Sequence, residues 1–124
     1  MKARIVTERV PNPYYRRYHT TVEISEYTIH IFSRPLRDYC EIYLKEVGKY
    51  GREVVEKLLR LDGVTDVTLQ PYEVGVTIGE AHDWEDVQPH VIATLKKVFV
   101  QKCTVSEDEV QVIEKYDTSK WGNE

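Results

Sequence analysis

Between Leu58 and Phe99 the apolar positions change period twice. Helical spacing runs up to Leu61, and Gly63 supplies a natural C-terminal stop. Alternation follows: Val67 and Leu69 share one face, Asp66 and Thr68 the other, and Val74, Val76 and Ile78 repeat the scheme. Gln70-Pro71-Tyr72-Glu73 lies between the two runs, where proline presets a turn. Trp84, Val87, Val91, Leu95 and Val98 then form one stripe, with Lys96 and Lys97 off it. The stretch reads as a helix end, a β-hairpin and an amphipathic helix. Pro89 has no N–H to donate, which places the start of that helix with Asp86 as N-cap, Pro89 in the first turn and Trp84 just outside.

The preceding half is read in the same way. Ala3 to Val10 alternates as a strand, and Pro11-Asn12-Pro13 ends it because neither proline can donate to a ladder. Tyr14 to His19 comes next, then a second strand around Thr20 to Ile24. A third follows from Tyr27 to Phe32, with Tyr27, Ile29 and Ile31 facing one way, unless the two form one long bent strand. Pro35 suits the first position of a helix whose stripe is Leu36, Tyr39, Cys40, Tyr43, Leu44 and Val47. Gly48 and Gly51 favour a break there, with a second helix from Arg52 to Leu61; one continuous helix is the alternative. Past Lys102, Ser106-x-x-Glu109 is a capping box, while Val110-Gln111-Val112-Ile113 alternates as a short edge strand, the reading preferred here. The tail from Asp117 to Glu124 is expected to be mobile.

Composition narrows the class. The chain has 124 residues, enough for one domain with its own core. With 41% hydrophobic and 31% charged residues it reads as an ordinary globular protein. No apolar run approaches the ~18 residues of a spanning helix. The N-terminus carries no secretory pattern, so a cytoplasmic location is expected. A net charge of −4 argues against general affinity for nucleic acid. Cys40 and Cys103 form no CxxC pair and read as reduced, buried small hydrophobes.

The patch Tyr14, Tyr15, Arg16, Arg17, Tyr18 and His19 is the most suggestive chemistry. Guanidinium forks and amphipathic tyrosines suit a protein partner, or a nucleic acid as the alternative. The plainer reading is a strand entry with arginines in solvent and tyrosines half-buried. His82, Asp86 and His90 have i, i+4 spacing and donor types suited to a metal, although Pro89 works against one helix through all three. Acidic residues near a helix start also have an electrostatic use of their own. His19 and His30 read as structural. No nucleophile elbow, phosphate loop, HExxH or paired-cysteine zinc pattern is present, so no catalytic residue and no cofactor is expected.

Three segments together carry a family resemblance: Val10-Pro11-Asn12-Pro13; Leu58-x-x-Leu61-x-Gly63-Val64-x-x-Val67; and Asp83-Trp84-x-x-Val87-x-Pro89-x-Val91-x-x-x-Leu95-x-x-x-Phe99. Their order and spacing resemble the N-terminal domain of Nfu/NifU-type iron–sulfur scaffold proteins. The resemblance implies an α+β two-layer sandwich, an antiparallel sheet of four to five strands with two to three helices on one face. It assigns residues 1–102 to that domain and leaves 103–124 as a C-terminal extension. The family's cluster chemistry belongs to a separate CxxC domain, a motif this sequence does not contain. What the resemblance implies here is therefore a non-catalytic accessory role in iron–sulfur assembly or delivery, exercised through protein contacts.

Overall fold

The computed structural model describes residues 3–26 and 29–117, with backbone alone for 115–117. Six strands and three α-helices occur among them: β1 (Arg4–Arg9), β2 (Tyr15–Thr20), β3 (His30–Ser33), α1 (Glu41–Glu46), α2 (Gly48–Leu59), β4 (Val64–Gln70), β5 (Glu73–Ile78), α3 (Trp84–Cys103) and β6 (Gln111–Asp117). They build one mixed sheet in the order β3-β4-β5-β2-β1-β6. The alternating β4–β5 hairpin pairs Val67 with Val76 and Leu69 with Val74, so one face of both strands is apolar. Against that face lie Val54, Val55 and Leu58 of α2 and Val91, Leu95 and Phe99 of α3, all fully buried in a single core. The stripe from Trp84 to Val98 is the buried face of α3, as its spacing requires.

The α+β two-layer class holds, with two corrections to the sheet. The described residues form six strands, and β6 runs parallel to β1. Residues 103–110 carry the chain back along the sheet so that β6 adds beside the first strand. The capping box at Ser106 and Glu109 also forms; it opens a short 3-10 turn over Glu107–Glu109 ahead of the strand. Thus both local signals in this segment are realised in succession. Residues 118–124, most of the tail expected to be mobile, lie outside the described residues, while Asp117 ends β6.

Several boundaries move. The second strand is Tyr15–Thr20 and not Thr20–Ile24, because a tight Pro11–Tyr14 connection brings Arg16 directly opposite Arg9. The third is His30–Ser33. Phe32 is its buried residue and Ile29 and Ile31 are exposed; Tyr27 lies outside the described residues. Pro35 does not open a helix. Arg34 ties the chain to the end of α2, its backbone N–H donating to Thr65 and its guanidinium to the Leu59 and Leu61 carbonyls, so helical structure begins only at Asp38. Of the stripe assigned to that first helix, Leu44 and Val47 are buried, while Tyr39 and Tyr43 are exposed.

The break between α1 and α2 falls at Gly48, whose φ of +84° suits glycine. Helix α2 therefore starts there and not at Arg52, and Gly51 sits inside it, where an added Cβ would stand 3.0 Å from Val47 and 3.1 Å from Leu69. Helix α3 starts one turn earlier than Pro89 suggests. Asp83 occupies the N-cap position and Trp84 is the first helical residue, since its burial fixes it to the core. Pro89 thus lies in the second turn, where it withholds the hydrogen bond that the Glu85 carbonyl would otherwise receive. Cys40 and Cys103 are free thiols and half-buried, less enclosed than expected.

Helix α3 ends on Thr104, a β-branched residue at φ +54°. Left-handed backbone costs such a residue roughly 1–2 kcal/mol, and Thr104 is exposed, so its side chain buries little in return. Thr104→Gly is expected to stabilise the protein by about 1 kcal/mol and raise the thermal midpoint by a few degrees. Calorimetry showing an unchanged or lower midpoint would contradict that account.

Candidate functional site

The strand β2 divides the Tyr14–His19 patch between two surfaces. Neighbouring side chains on a strand point to opposite faces. Arg16 and Tyr18 face α3; Tyr15, Arg17 and His19 lie on the side away from the helices. Tyr14 is exposed in the turn, its N–H bonded to the Asn12 side chain at 2.9 Å.

On the side away from the helices the basic side chains lie beside carboxylates. Arg17 lies 3.7 Å from Glu8, and the two ring nitrogens of His19 lie 2.7 Å from Glu8 and 3.4 Å from Glu73. The Arg17 guanidinium also sits over the Tyr15 ring. Tyr15 in turn lies over Gly75, where the absence of a side chain leaves room for its phenol. Two carboxylates beside Arg17 and His19 leave little net field to attract a phosphate backbone.

On the side facing α3 the arrangement is directional. Arg16 donates from Nη1 to Oε1 of Gln88 at 2.6 Å, and its guanidinium carbon lies 4.9 Å from the centroid of the Trp84 ring. The Tyr18 hydroxyl donates to the same Gln88 oxygen at 3.2 Å. Tyr18 is fully buried; burial pushes its phenol well above the usual tyrosine range, with Arg16 partly opposing. It therefore stays a neutral donor at any physiological pH. Trp84 donates its indole N–H to the Pro13 carbonyl at 2.9 Å, which joins the start of α3 to the β1–β2 turn. A planar cation is thus held over an aromatic face by fixed partners.

These residues form one wall of a groove of about 510 Å³ lined by Arg9, Arg16, Trp84, Glu85, Gln88, Pro89, Ile92 and Val112. A smaller depression of about 280 Å³ shares Arg9, Arg16 and Trp84 and extends the groove to Pro13 and Tyr15. Arg9 is ion-paired with Glu114 of β6 at 2.8 Å. Two guanidinium groups beside an apolar floor suit a carboxylate-bearing peptide. Reading the sequence alone located Arg16 but missed Arg9, Gln88 and Val112. The available signals were the Trp84-x-x-x-Gln88 spacing, one helical turn, and the placement of Arg9 and Arg16 on either side of the Pro-Asn-Pro turn.

The histidine cluster occupies a second cleft of about 410 Å³, where His82, Asp86 and His90 meet Arg60 and Asp62. All three expected residues do line one surface. Even so, among the described residues no group of three His, Cys, Asp or Glu side chains is arranged to hold a metal ion. Helix α3 carries Asp86 and His90, whereas His82 precedes it and packs its ring over Gly63.

The fold and the motifs meet in comparisons with known proteins. Residues 5–102 match the sequence model of the family described as scaffold protein Nfu/NifU, N-terminal. A comparison with curated proteins found no match. Among solved structures, the crystal structure of protein SAV1430 from Staphylococcus aureus is 18% identical, over 77% of this chain and 99% of that one, with a TM-score of 0.54. A NifU-like protein from Saccharomyces cerevisiae is 13% identical, over 92% of this chain and 87% of that one, with a TM-score of 0.55. At such identities the structures speak for the fold, and the sequence match over four-fifths of the chain speaks for descent: this protein belongs to the Nfu/NifU N-terminal scaffold family.

Proposed function

We propose that this protein is a non-catalytic interaction module that assists iron–sulfur cluster assembly or delivery by docking protein partners in the groove between β1, β2 and the start of α3. Family membership supports the pathway, and the Arg16 guanidinium held between Gln88 and Trp84 supports the place. Pre-ordered side chains lower the entropy cost of binding, so this groove is better prepared than the face where Arg17 and His19 lie beside Glu8 and Glu73. No described helix is long and apolar enough to cross a membrane. The cytoplasmic location expected from the sequence is part of the same proposal.

Partner capture from native lysate tests the reading. Wild type is compared with Arg9→Ser/Arg16→Ser in the groove and Arg17→Ser/His19→Ser on the opposite face, each with and without nuclease. The groove variant should lose iron–sulfur assembly or client proteins by about tenfold or more, the other variant little. Recovery that depends on nucleic acid, or loss confined to the Arg17/His19 variant, would reverse the assignment.

A further inference from the structure

The last strand of the sheet is attached differently from the others. Residues 111–114 of β6 are all exposed, Val112 to 43% and Ile113 to 37%, whereas Val110 just before them is buried. Among the described residues several contacts hold β6, including a hydrogen bond of 3.5 Å from the buried Thr7 hydroxyl to the Ile113 carbonyl. The β6 backbone pairs with β1, from Gln111 N–H on the Ala3 carbonyl onward; Val112 forms part of the groove wall; and Glu114 pairs with Arg9. That ion pair is about half exposed on both sides, so it adds little to stability. The pairing itself shifts register between Thr7 and Glu8. Strand β6 also lies beyond residues 5–102, the part that matches the family. Without it, β1 would present a free edge directly beside the groove.

We propose that the β1 edge is a strand-acceptor site and that β6 is its internal occupant, displaced when a partner binds. The partner is an extended segment of another protein that pairs parallel to β1. It carries an apolar residue in the place of Val112 and a carboxylate two positions later in the place of Glu114. Residues two apart on a strand share a face, so this pattern presents the apolar group to the groove and the acid to Arg9 together. Within the molecule Glu114 already makes this contact with Arg9, at 2.8 Å. Val112 lines a groove of about 510 Å³; a larger apolar residue bounded by Trp84, Pro89 and Ile92 would bury more surface. The inference rests on the protein-docking reading above and names the chemistry of the partner.

The probe is a fluorescent peptide of residues 110–117 in which the position of Val112 carries leucine, added to the full-length protein. Anisotropy should show about tenfold tighter binding to a Val112→Asp/Glu114→Lys protein, whose own strand is weakened, than to wild type. A peptide whose position 114 carries lysine should lose about tenfold. On the wild-type protein, saturating peptide should speed hydrogen exchange at the β6 amides while those of β2 and β5 keep their protection, a readout independent of whether the variant folds well. Unchanged β6 exchange at saturation, or equal binding of the lysine peptide, overturns the proposal. A stable dimer of the weakened variant by light scattering also overturns it, since the occupant would then be a second copy. Capture of partners that depends on Arg9 and Arg16 but leaves β6 in place would preserve the docking function and defeat only this inference.

Discussion

Trp84→Ala is expected to lower the free energy of unfolding by about 3–5 kcal/mol, a large share of what a single domain has. Trp84 is only 9% exposed and belongs to the core cluster, so truncation removes apolar contact and leaves a cavity at the start of α3. The Pro13 carbonyl also loses its indole donor, which frees the β1–β2 turn from the helix. Arg16 loses the ring beneath it. Trp84→Phe separates these contributions. It keeps an aromatic face for Arg16 and gives up the N–H, at a cost of about 1–2 kcal/mol. Denaturant titration of the pair should show that order, and partner binding should survive in the phenylalanine variant. A loss under about 1 kcal/mol for alanine would mean that α3 is anchored elsewhere.

Gly63→Val should cost about 2–4 kcal/mol by two separate routes. The backbone at Gly63 has φ +94°, which a β-branched side chain scarcely adopts. A Cβ added there would also stand 2.6 Å from the His82 ring. The routes can be told apart with Gly63→Ala and Gly63→Ala/His82→Ala. Removing the ring should return the steric part and leave the backbone part, so the two substitutions will not be additive in a double-mutant cycle. Full recovery in the double variant would show that the conformation itself carries no cost. This glycine sits where α2 hands over to β4, hence strain there is felt by the hairpin at the centre of the sheet.

Both predictions concern residues that the sequence already marked, Trp84 by its place at the head of a helical stripe and Gly63 by its place after one. What it could not supply was their partners. That Trp84 reaches the Pro13 carbonyl and that the His82 ring covers Gly63 are meetings of distant segments. The Tyr14–His19 patch shows the same limit. As a string it is one basic and aromatic cluster, yet a strand with period two sends Arg16 and Arg17 to opposite sides, where one meets Gln88 and the other Glu8. The misplaced helix starts have a related cause. Pro35 and Pro89 are sound local signals, but the ties from Arg34 to α2 and the burial of Trp84 outweigh them.

Local chemistry alone marked the hairpin from Val64 to Ile78, the buried stripe of α3 and an interruption around Gly48 and Gly51, and the order of motifs carried the family resemblance. Each depends on spacing within a short window or on the order of motifs, and such information is fully present in a linear string. Tertiary structure decided the addition of β6 parallel to β1, the partners that Arg16 and Arg17 meet, and the groove that Arg9, Arg16, Trp84 and Val112 share. Those features arise from pairings across many tens of residues, which loop closure and packing choose among and which no local pattern encodes. The Arg9–Glu114 ion pair joins residues more than a hundred positions apart; only the closed sheet brings them within 2.8 Å.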